Sequence, residues 1–413
     1  MTDPVGKAIL QTSRFAGVQF FFWASIVAFE AFMVPFLTGN GYSPSQAGFV
    51  MSAIFGLAIL GQPLLGSLSD RLSSPKWIAV GAMLIAGAGA LFLPSVVDHF
   101  AAVVGVVLLY SLTANSIPAV LDAWIMASRR GGSGASYGVA RGFGSLGFAV
   151  GAVVIGALAD RYGIATVFRV YAVVAATTAG LSVLAPPAAA PPVAAPPATP
   201  PPVGGNAVVQ GDAPSSRGFS AGIAAALGNR AYLLLLAASF LAFVGFRAGI
   251  TFLPLALESV GGSISDVGTA HSLAALSEVP FMFFSGLVIR RVRGTRLITL
   301  VLILMSIRLF TYSVAASALA ILLIQLSHGL TFGLFLAAVV HYIDVIAPAE
   351  HRGLFQAIAP SVFFGLGSVV GSWTGGFIVE LLSVAWLFRL SAVTTLLGAA
   401  LLPVLGRRAA ATA

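Results

Sequence analysis

The 413-residue chain alternates between long apolar runs and short breaks made of charged residues or of clustered Gly, Pro and Ser. A helix needs about 20 mostly apolar residues to cross the hydrocarbon core of a bilayer. Runs of that length recur along the whole chain, and they lack the alternation over about ten residues that is typical of a membrane β-barrel. The pattern predicts twelve membrane-spanning helices, at 14–38, 45–68, 76–94, 100–126, 138–158, 165–184, 231–257, 265–289, 296–313, 317–346, 354–379 and 383–404.

The composition narrows the class of protein. Hydrophobic residues make up 58% of the chain and charged residues only 8%, whereas a soluble domain is about 25% charged. This excludes most soluble enzymes, and the absence of cysteine excludes a disulfide-stapled fold. The first run is also too long for a cleavable signal peptide. We therefore expect an all-α membrane protein, in two six-helix halves, that is not an enzyme.

The net charge of +8 is distributed unevenly. If both termini are cytoplasmic, the outer loops hold only Arg161. This asymmetry follows the positive-inside rule, so it predicts an inner-membrane protein with cytoplasmic termini and disfavours nucleic-acid binding. The inner loops hold Lys7, Arg14, Arg71, Lys76, Arg129, Arg130, Arg217, Arg230, Arg290, Arg291, Arg293, Arg296, Arg352, Arg407 and Arg408.

A proline-rich segment separates the sixth run from the seventh. Residues 186–218 are low in charge and cannot pack a core. We predict an N-terminal half at 1–185, a cytoplasmic linker at 186–229 and a C-terminal half at 230–413.

The two halves repeat one another. Residues of the same or similar type recur 220 residues apart along the chain, and we call this spacing the repeat offset. It indicates duplicated halves. Secondary transporters have such halves, with a site between them near the membrane midplane. No phosphate-binding loop of the GxxxxGK[ST] type is present, so we expect no cofactor and a proton gradient as the energy source. The pairs that define this repeat offset are Gly66 with Gly286, Arg71 with Arg291, Gly147 with Gly367, Gly151 with Gly371, Gly156 with Gly376, Asp160 with Glu380 and Arg169 with Arg389.

The loop after the second run resembles the signature of the major facilitator superfamily. It reads GSLSDRLSSPK and contains Gly66, Asp70, Arg71 and Lys76. The resemblance implies that the glycine allows close helix contact and that the basic residues hold a cytoplasmic gate. The second copy begins at Gly286 and keeps basic residues at Arg290 and Arg291, with Arg290 replacing the aspartate.

Four further stretches resemble the lactose permease and phenylpropionate permease branch, whose members are proton symporters. They include PAVLDAWIMASRR with YGVARGFGSLGFAVG, and MSIRLFTYSVA with LSHGLTFGLFLAAVVHYI. The resemblance implies that Arg141 binds the substrate and that Arg308 and His328 belong to a proton-coupling cluster. It places Glu278 near the substrate-binding and coupling residues of the second half.

Two positions depart from this branch. Its helix-four acid aligns with Leu121, one residue before Asp122, and its coupling glutamate aligns with Thr331. These departures leave open which group carries the proton and whether a disaccharide is the substrate.

Ionisable residues inside a membrane cost several kcal/mol unless they are paired or hydrated, so each is a functional hypothesis. We expect a clamp of Asp122 and Arg141 on the substrate, with Trp124 and Phe148 beside it. The alternative is a structural ion pair. Glu278 could form a static pair with Arg308 or Arg247 instead of carrying a proton. The buried set comprises Glu30, Asp122, Arg141, Arg247, Glu278, Arg308 and His328.

Other side chains carry weaker signals. Phe21, Phe22, Trp23 and Phe29 along the first run favour lipid contact over ring stacking on a substrate. The histidines are too scattered to build a metal site, so no metal is expected.

The function that fits these features is proton-coupled uptake of a small polar solute by a monomer that alternates access between its halves. The solute is a sugar or a small aromatic or carboxylic acid. One alternative is an efflux transporter of amphipathic compounds. Another is a non-transporting sensor or assembly protein that uses the proline-rich linker.

Overall fold

The structure is a computed structural model that describes residues 4–72, 74–128, 135–187, 216–292 and 294–403. Within these ranges the chain is helical and contains no strand. The prediction of an all-α fold with twelve membrane-spanning helices is confirmed. Spans 1 to 12 are Ala8–Gly39, Pro44–Leu72, Pro75–Val96, Phe100–Ser128, Tyr137–Tyr162, Thr166–Leu184, Arg230–Thr251, Ile264–Arg291, Gly294–Tyr312, Ala318–Ile346, Ala349–Leu381 and Val384–Leu401.

Three spans are interrupted. Span 4 is divided into Phe100–Leu112 and Pro118–Ser128 by a 3₁₀ turn at Ala114–Ser116, because a proline supplies no amide hydrogen to the preceding turn. Wider π turns lie in span 10 at Gly329–Gly333 and in span 11 at Ser361–Leu366. In span 10 the π turn follows Ala318–Gln325 and precedes Leu334–Ile346; in span 11 it lies between Arg352–Pro360 and Gly367–Leu381.

The structure corrects three predicted boundaries. The first helix begins at Pro4 and not near residue 14. The run predicted at 231–257 is not continuous, because Pro254 starts the separate helix Leu253–Ser259. The end of the predicted linker forms the helix Ser216–Gly228, where Gly222 packs against Leu354 at the start of span 11.

Several predicted features lie outside the described residues. They are most of the proline-rich linker and the inner-loop residues Arg129, Arg130, Arg293, Arg407 and Arg408.

The repeat is visible in how helices pack within each half. In span 5, a β-carbon on Gly151 would lie 2.8 Å from the α-carbon of Ala24 in span 1. In span 11, a β-carbon on Gly371 would lie 2.4 Å from the carbonyl oxygen of Val244 in span 7. Gly151 and Gly371 are separated by the repeat offset, and so are Ala24 and Val244. The glycines therefore make the same backbone contact in both halves, since only glycine allows such a close approach.

The two halves meet through a second symmetric pair of contacts. In spans 5 and 8, Gly156 faces Gly268, and a β-carbon on Gly268 would lie 2.1 Å from the carbonyl oxygen of Ala152. In spans 2 and 11, Gly48 faces Gly376, with 3.1 Å between the built β-carbon of Gly48 and the α-carbon of Gly376. The repeat offset again relates Gly48 to Gly268 and Gly156 to Gly376.

These contacts lie on the side of the membrane opposite to the start of span 1, which we call the far side. Hydrogen bonds join the halves there. The backbone N–H of Ser45 donates to the Glu380 carboxylate (3.0 Å), and the Ser52 hydroxyl donates to the carbonyl of Val369 (2.8 Å). The far side is therefore closed.

On the opposite side, which we call the N-terminal side, spans 2 and 11 separate. Ile59 still lies against Gly365, but Gly66, about 10 Å further along span 2, has open space around it. Gly286 of span 8 also has open space beside it. The close contact expected of these signature glycines is therefore wrong for this state, because the halves diverge before they reach them.

The close approach at Gly268 generates a prediction. Gly268→Ala places a methyl group against the Ala152 carbonyl and destabilises the far-side closure. Overpacking worth about 1.4 kcal/mol changes a two-state ratio about tenfold. The chain has no cysteine, so Ser52→Cys provides a unique reporter on the buried cross-half contact. We expect a membrane-impermeant maleimide to label this cysteine about tenfold faster in the Gly268→Ala variant.

Gly180→Ala is the matched control, because a β-carbon on Gly180 meets no atom within 4 Å. Equal labelling rates in the two alanine variants would contradict the assignment of Gly268 to the closure.

Candidate functional site

A carboxylate and an imidazole pair within the second half. The Glu278 Oε1 atom of span 8 lies 3.0 Å from the His328 Nε2 atom of span 10. Gly329 brings the two backbones together, since its N–H donates to the Ser277 hydroxyl (2.9 Å) and a β-carbon there would clash with the Ser277 carbonyl. The π turn begins at the same glycine and sets the direction of the His328 side chain.

The surroundings of the pair are asymmetric. The His328 ring lies against Phe246 and Phe332, with centroid distances of 5.7 and 5.1 Å, and those two phenyl rings stack on each other. Its side chain is 7% exposed, whereas that of Glu278 is 24% exposed. The carboxylate is therefore the member of the pair that a solute or water can reach.

Arg308 is held by neutral groups. Its guanidinium donates to Gln325 (2.6 Å), to the Tyr312 hydroxyl (2.9 Å) and to the Thr331 hydroxyl (3.3 Å). Thr331, at the position of the family's coupling glutamate, is thus a hydrogen-bond partner of Arg308.

The alternative of a static pair between Arg308 and Glu278 is not formed in this state. Among the described residues, the ion pairs within 4.0 Å are Arg247 with Glu30, His328 with Glu278 and Arg352 with Asp344. Arg308 still acts electrostatically on the Glu278 carboxylate.

A polar cluster in the first half joins spans 1, 4 and 5. The Trp23 indole N–H donates to the Gln19 amide oxygen (2.9 Å), and the Gln19 amide nitrogen donates to Asp122 (3.2 Å). Tyr137 presents its hydroxyl to the same carboxylate. The Arg141 guanidinium lies 4.4 Å above the Trp23 ring. The expected neighbours Asp122 and Arg141 are therefore brought together with two residues of span 1.

Trp124 is not part of this cluster. Its side chain is fully buried, packs edge-on against Phe15 at 5.3 Å and donates to the carbonyl of Pro186 (2.9 Å). Trp124 and Asp122 nevertheless both contact span 1, through Phe15 and Gln19, so the assignment of Trp124 beside the clamp stays a prediction. Phe148 lies seven residues after Arg141 on the same face of span 5, so its assignment stays a prediction.

Gln19 and Trp23 are the residues that sequence reasoning missed. Their spacing of four in a phenylalanine-rich run was the available signal, since it places both on one helix face. Lipid contact is wrong for Phe22 and Phe29 as well. Both are fully buried, and Phe29 stacks on Tyr110 at 3.8 Å.

A third group of charges bridges the halves toward the far side. The Arg247 guanidinium of span 7 lies 3.8 Å from the Glu30 carboxylate of span 1 and 3.7 Å from the Phe55 ring centroid. Within the described residues, its Nε and Nη2 atoms have no hydrogen-bond partner. The alternative pair of Arg247 with Glu278 is therefore not formed in this state, and Arg247 lies within the closed part of the interface.

Glu278, His328 and Arg308 belong to the second half, and Asp122 and Arg141 belong to the first half. The two clusters together contain carboxylates, guanidinium groups and aromatic rings. Such groups can hold a hydroxylated solute and exchange a proton. No cluster of three or more His, Asp or Glu side chains that could bind a metal occurs in the described ranges.

Comparisons with known proteins identify the family of the chain. A family model described as "MFS_1 like family" matches residues 12–390. The maltose permease of Geobacillus stearothermophilus is 25% identical over 89% of this chain and 87% of its own length. The putative nucleoside transporter YegT of Escherichia coli (strain K12) is 26% identical over 91% of this chain and 85% of its own length.

A solved structure shares the fold. The crystal structure of the nucleoside transporter NupG superposes with a TM-score of 0.76 at 18% identity, over 96% of this chain and 98% of that chain. The predicted major facilitator fold is confirmed.

The partners of Arg308 generate a prediction about stability. Gln325→Leu removes an acceptor from a buried cation, which costs about 1.5–3 kcal/mol. We expect the free energy of unfolding of the purified protein to fall by that amount. Gln356→Leu is the control, because the Gln356 bond to the Val340 carbonyl is exposed and uncharged. A loss at Gln325 no larger than the loss at Gln356 would show that Gln325 does not stabilise Arg308.

Proposed function

The chain belongs to the MFS_1 like family, and from that premise we propose that it couples the uptake of a small hydroxylated solute to the uptake of protons. Membership makes it a membrane-embedded transporter and not an enzyme. The observation that carries the proposal is the pair of Glu278 and His328, a titratable pair at mid-span whose carboxylate is the more exposed member. A group that both binds a proton and remains accessible is what coupling requires.

In this proposal Glu278 carries the proton and His328 orients its carboxylate. Arg308 supplies a permanent positive charge that favours release of the proton once the carboxylate is exposed to the cytoplasm. Thr331 takes no proton and serves only as a partner of Arg308.

Substrate binding is assigned to the first-half cluster. Asp122 accepts hydrogen bonds from the solute, Arg141 donates to it, and Phe148 lines the same face of span 5. Glu30 and Arg247 join the site when the far side opens. Two relatives, a maltose permease and a putative nucleoside transporter, support a solute with a hydroxylated ring. Since one chain contains both halves, we propose that the monomer is the working unit.

The orientation follows from the basic residues. Arg161, Arg169 and Arg389 lie at far-side ends, and the larger number at the opposite ends supports a cytoplasmic N-terminal side. The state described here is then open to the cytoplasm. We propose that the signature residues Asp70, Arg71 and Lys76 close that side in the alternate state, with Arg290 and Arg291. The described basic residues near N-terminal-side ends are Arg71, Lys76, Arg230, Arg290, Arg291, Arg296 and Arg352.

Replacement of Glu278 tests the coupling. In proteoliposomes with an imposed pH gradient, wild-type protein accumulates radiolabelled solute, with maltose and uridine as the probes. We expect Glu278→Gln to end accumulation against the gradient while counterflow exchange continues, because solute binding and reorientation remain possible without the titrating group. Glu258→Gln, at an exposed acid outside the spans, is the control. Unchanged uphill transport in Glu278→Gln would overturn the assignment.

The direction of transport separates uptake from efflux. We expect solute accumulation in right-side-out vesicles under an inward proton gradient. Proton-driven accumulation that occurs only in inverted vesicles would identify an exporter.

A further inference from the structure

The Asp122 carboxylate and the Arg141 guanidinium are opposite charges that lie near one another without pairing. Asp122 accepts a hydrogen bond from Gln19, and Arg141 lies over the ring of Trp23, which itself donates to Gln19. The ion pairs within 4.0 Å in the described part of the chain nevertheless do not include Asp122 and Arg141. We propose that Gln19 and Trp23 are positioning residues that hold these two charges apart, so that a ring with two adjacent hydroxyl groups fits between them. This inference rests on the proposed function and specifies its substrate.

A residue of span 1 holds the Asp122 carboxylate in place. Gln19 is 1% exposed, and its amide oxygen is occupied by the indole N–H of Trp23. The amide nitrogen is thereby directed to one oxygen of Asp122. The Tyr137 hydroxyl faces the same carboxylate. Neutral donors thus satisfy part of the hydrogen-bonding capacity of the carboxylate.

The base is held by the same tryptophan. The Arg141 guanidinium lies over the face of the Trp23 ring at 4.4 Å, a cation–π geometry. Gly144 makes room for that ring, because a β-carbon on Gly144 would lie 2.6 Å from the Trp23 Cδ1 atom. Trp23 therefore fixes Arg141 through its ring and Asp122 through Gln19.

Without these restraints the charges would close on each other, since attraction between opposite charges is strong in a medium of low dielectric constant. The resulting ion pair would fill the site. Held apart, the carboxylate offers an acceptor and the guanidinium offers donors. Two neighbouring hydroxyl groups supply the complementary donor and acceptor.

The same geometry disfavours a carboxylic acid as substrate, because its carboxylate would lie beside Asp122. The inferred solute is a neutral ring with adjacent hydroxyls, as in a pyranose sugar or a ribonucleoside. Small carboxylic acids are excluded.

The first test needs no solute. Asp122→Asn, Arg141→Gln and the double variant are made in wild-type protein and in a Gln19→Met/Trp23→Leu background, and unfolding temperatures are measured. We expect nearly additive shifts in wild-type protein and strongly non-additive shifts in the background, where the two charges can pair. Equal non-additivity of the Asp122 and Arg141 substitutions in wild-type protein and in this background would overturn the proposal.

Ser239→Ala provides the control background. Ser239 is the residue of span 7 that the repeat offset relates to Gln19, and it is also 1% exposed. We expect this background to keep the additivity of the wild type. A non-additive cycle in Ser239→Ala would mean that any buried polar loss produces the effect, which would also overturn the proposal.

The second test measures transport. We expect Gln19→Met to raise the KM for exchange of maltose or uridine about tenfold, the equivalent of one lost hydrogen bond, with little change in the maximal rate. Trp23→Phe keeps the ring and should restore more affinity than Trp23→Leu. A wild-type KM in Gln19→Met would contradict the positioning role.

The two tests separate the hypotheses. If wild-type protein transports neither probe, the proposed substrate class is wrong, while the unfolding cycle still decides whether Gln19 and Trp23 hold the charges apart. If benzoate competes with the transported probe as well as an unlabelled sugar does, the exclusion of carboxylic acids is wrong.

Discussion

The free-energy cost of placing an ion within a membrane constrains this structure more than any other interaction. A charge at mid-span is tolerated only where it is paired, hydrogen-bonded or hydrated. The chain meets that requirement in three different ways. Glu278 pairs with a histidine, Arg308 is bound by neutral oxygens, and Arg247 combines a long ion pair with an aromatic face. The number and charge of its partners determine how readily each ion can exchange one partner for another. An ion that exchanges partners easily is suited to a conformational change, whereas a fully bonded ion stabilises one structure.

The two halves share their helix packing but not the polar residues of the candidate site. Glycines separated by the repeat offset make matching contacts within and between the halves, so the backbone of each half follows the same plan. The polar residues of the candidate site do not repeat. Glu278 corresponds to Ala58, Arg141 to Ser361 and Gln19 to Ser239 at the same offset. The helix-packing glycines are thus common to both halves, while the polar residues of the candidate site differ between them.

Sequence patterns predicted the spans, the repeat and the identity of the buried ions, because each depends on local composition or spacing. They did not predict the partners. Which residue meets Arg308 depends on the rotation of span 10 at its π turn, and no pattern in LSHGLTFG specifies that turn. Trp23 was misjudged because a run that is apolar on all faces carries no periodic signal of which face meets lipid.

The way the far side is closed bears on how the protein can alternate. A transporter needs two states of similar free energy, since a ligand can shift an equilibrium only by its differential affinity for them. In contacts such as Gly48 with Gly376 the backbones approach closely, but no side chains interdigitate. The halves can therefore separate there without side chains having to withdraw from each other. The pair of Arg247 and Glu30, at 3.8 Å, leaves two guanidinium nitrogens without partners among the described residues. A shorter, fully bonded pair there would hold the far side shut. The incomplete pairing therefore favours a closure that ligand binding can open.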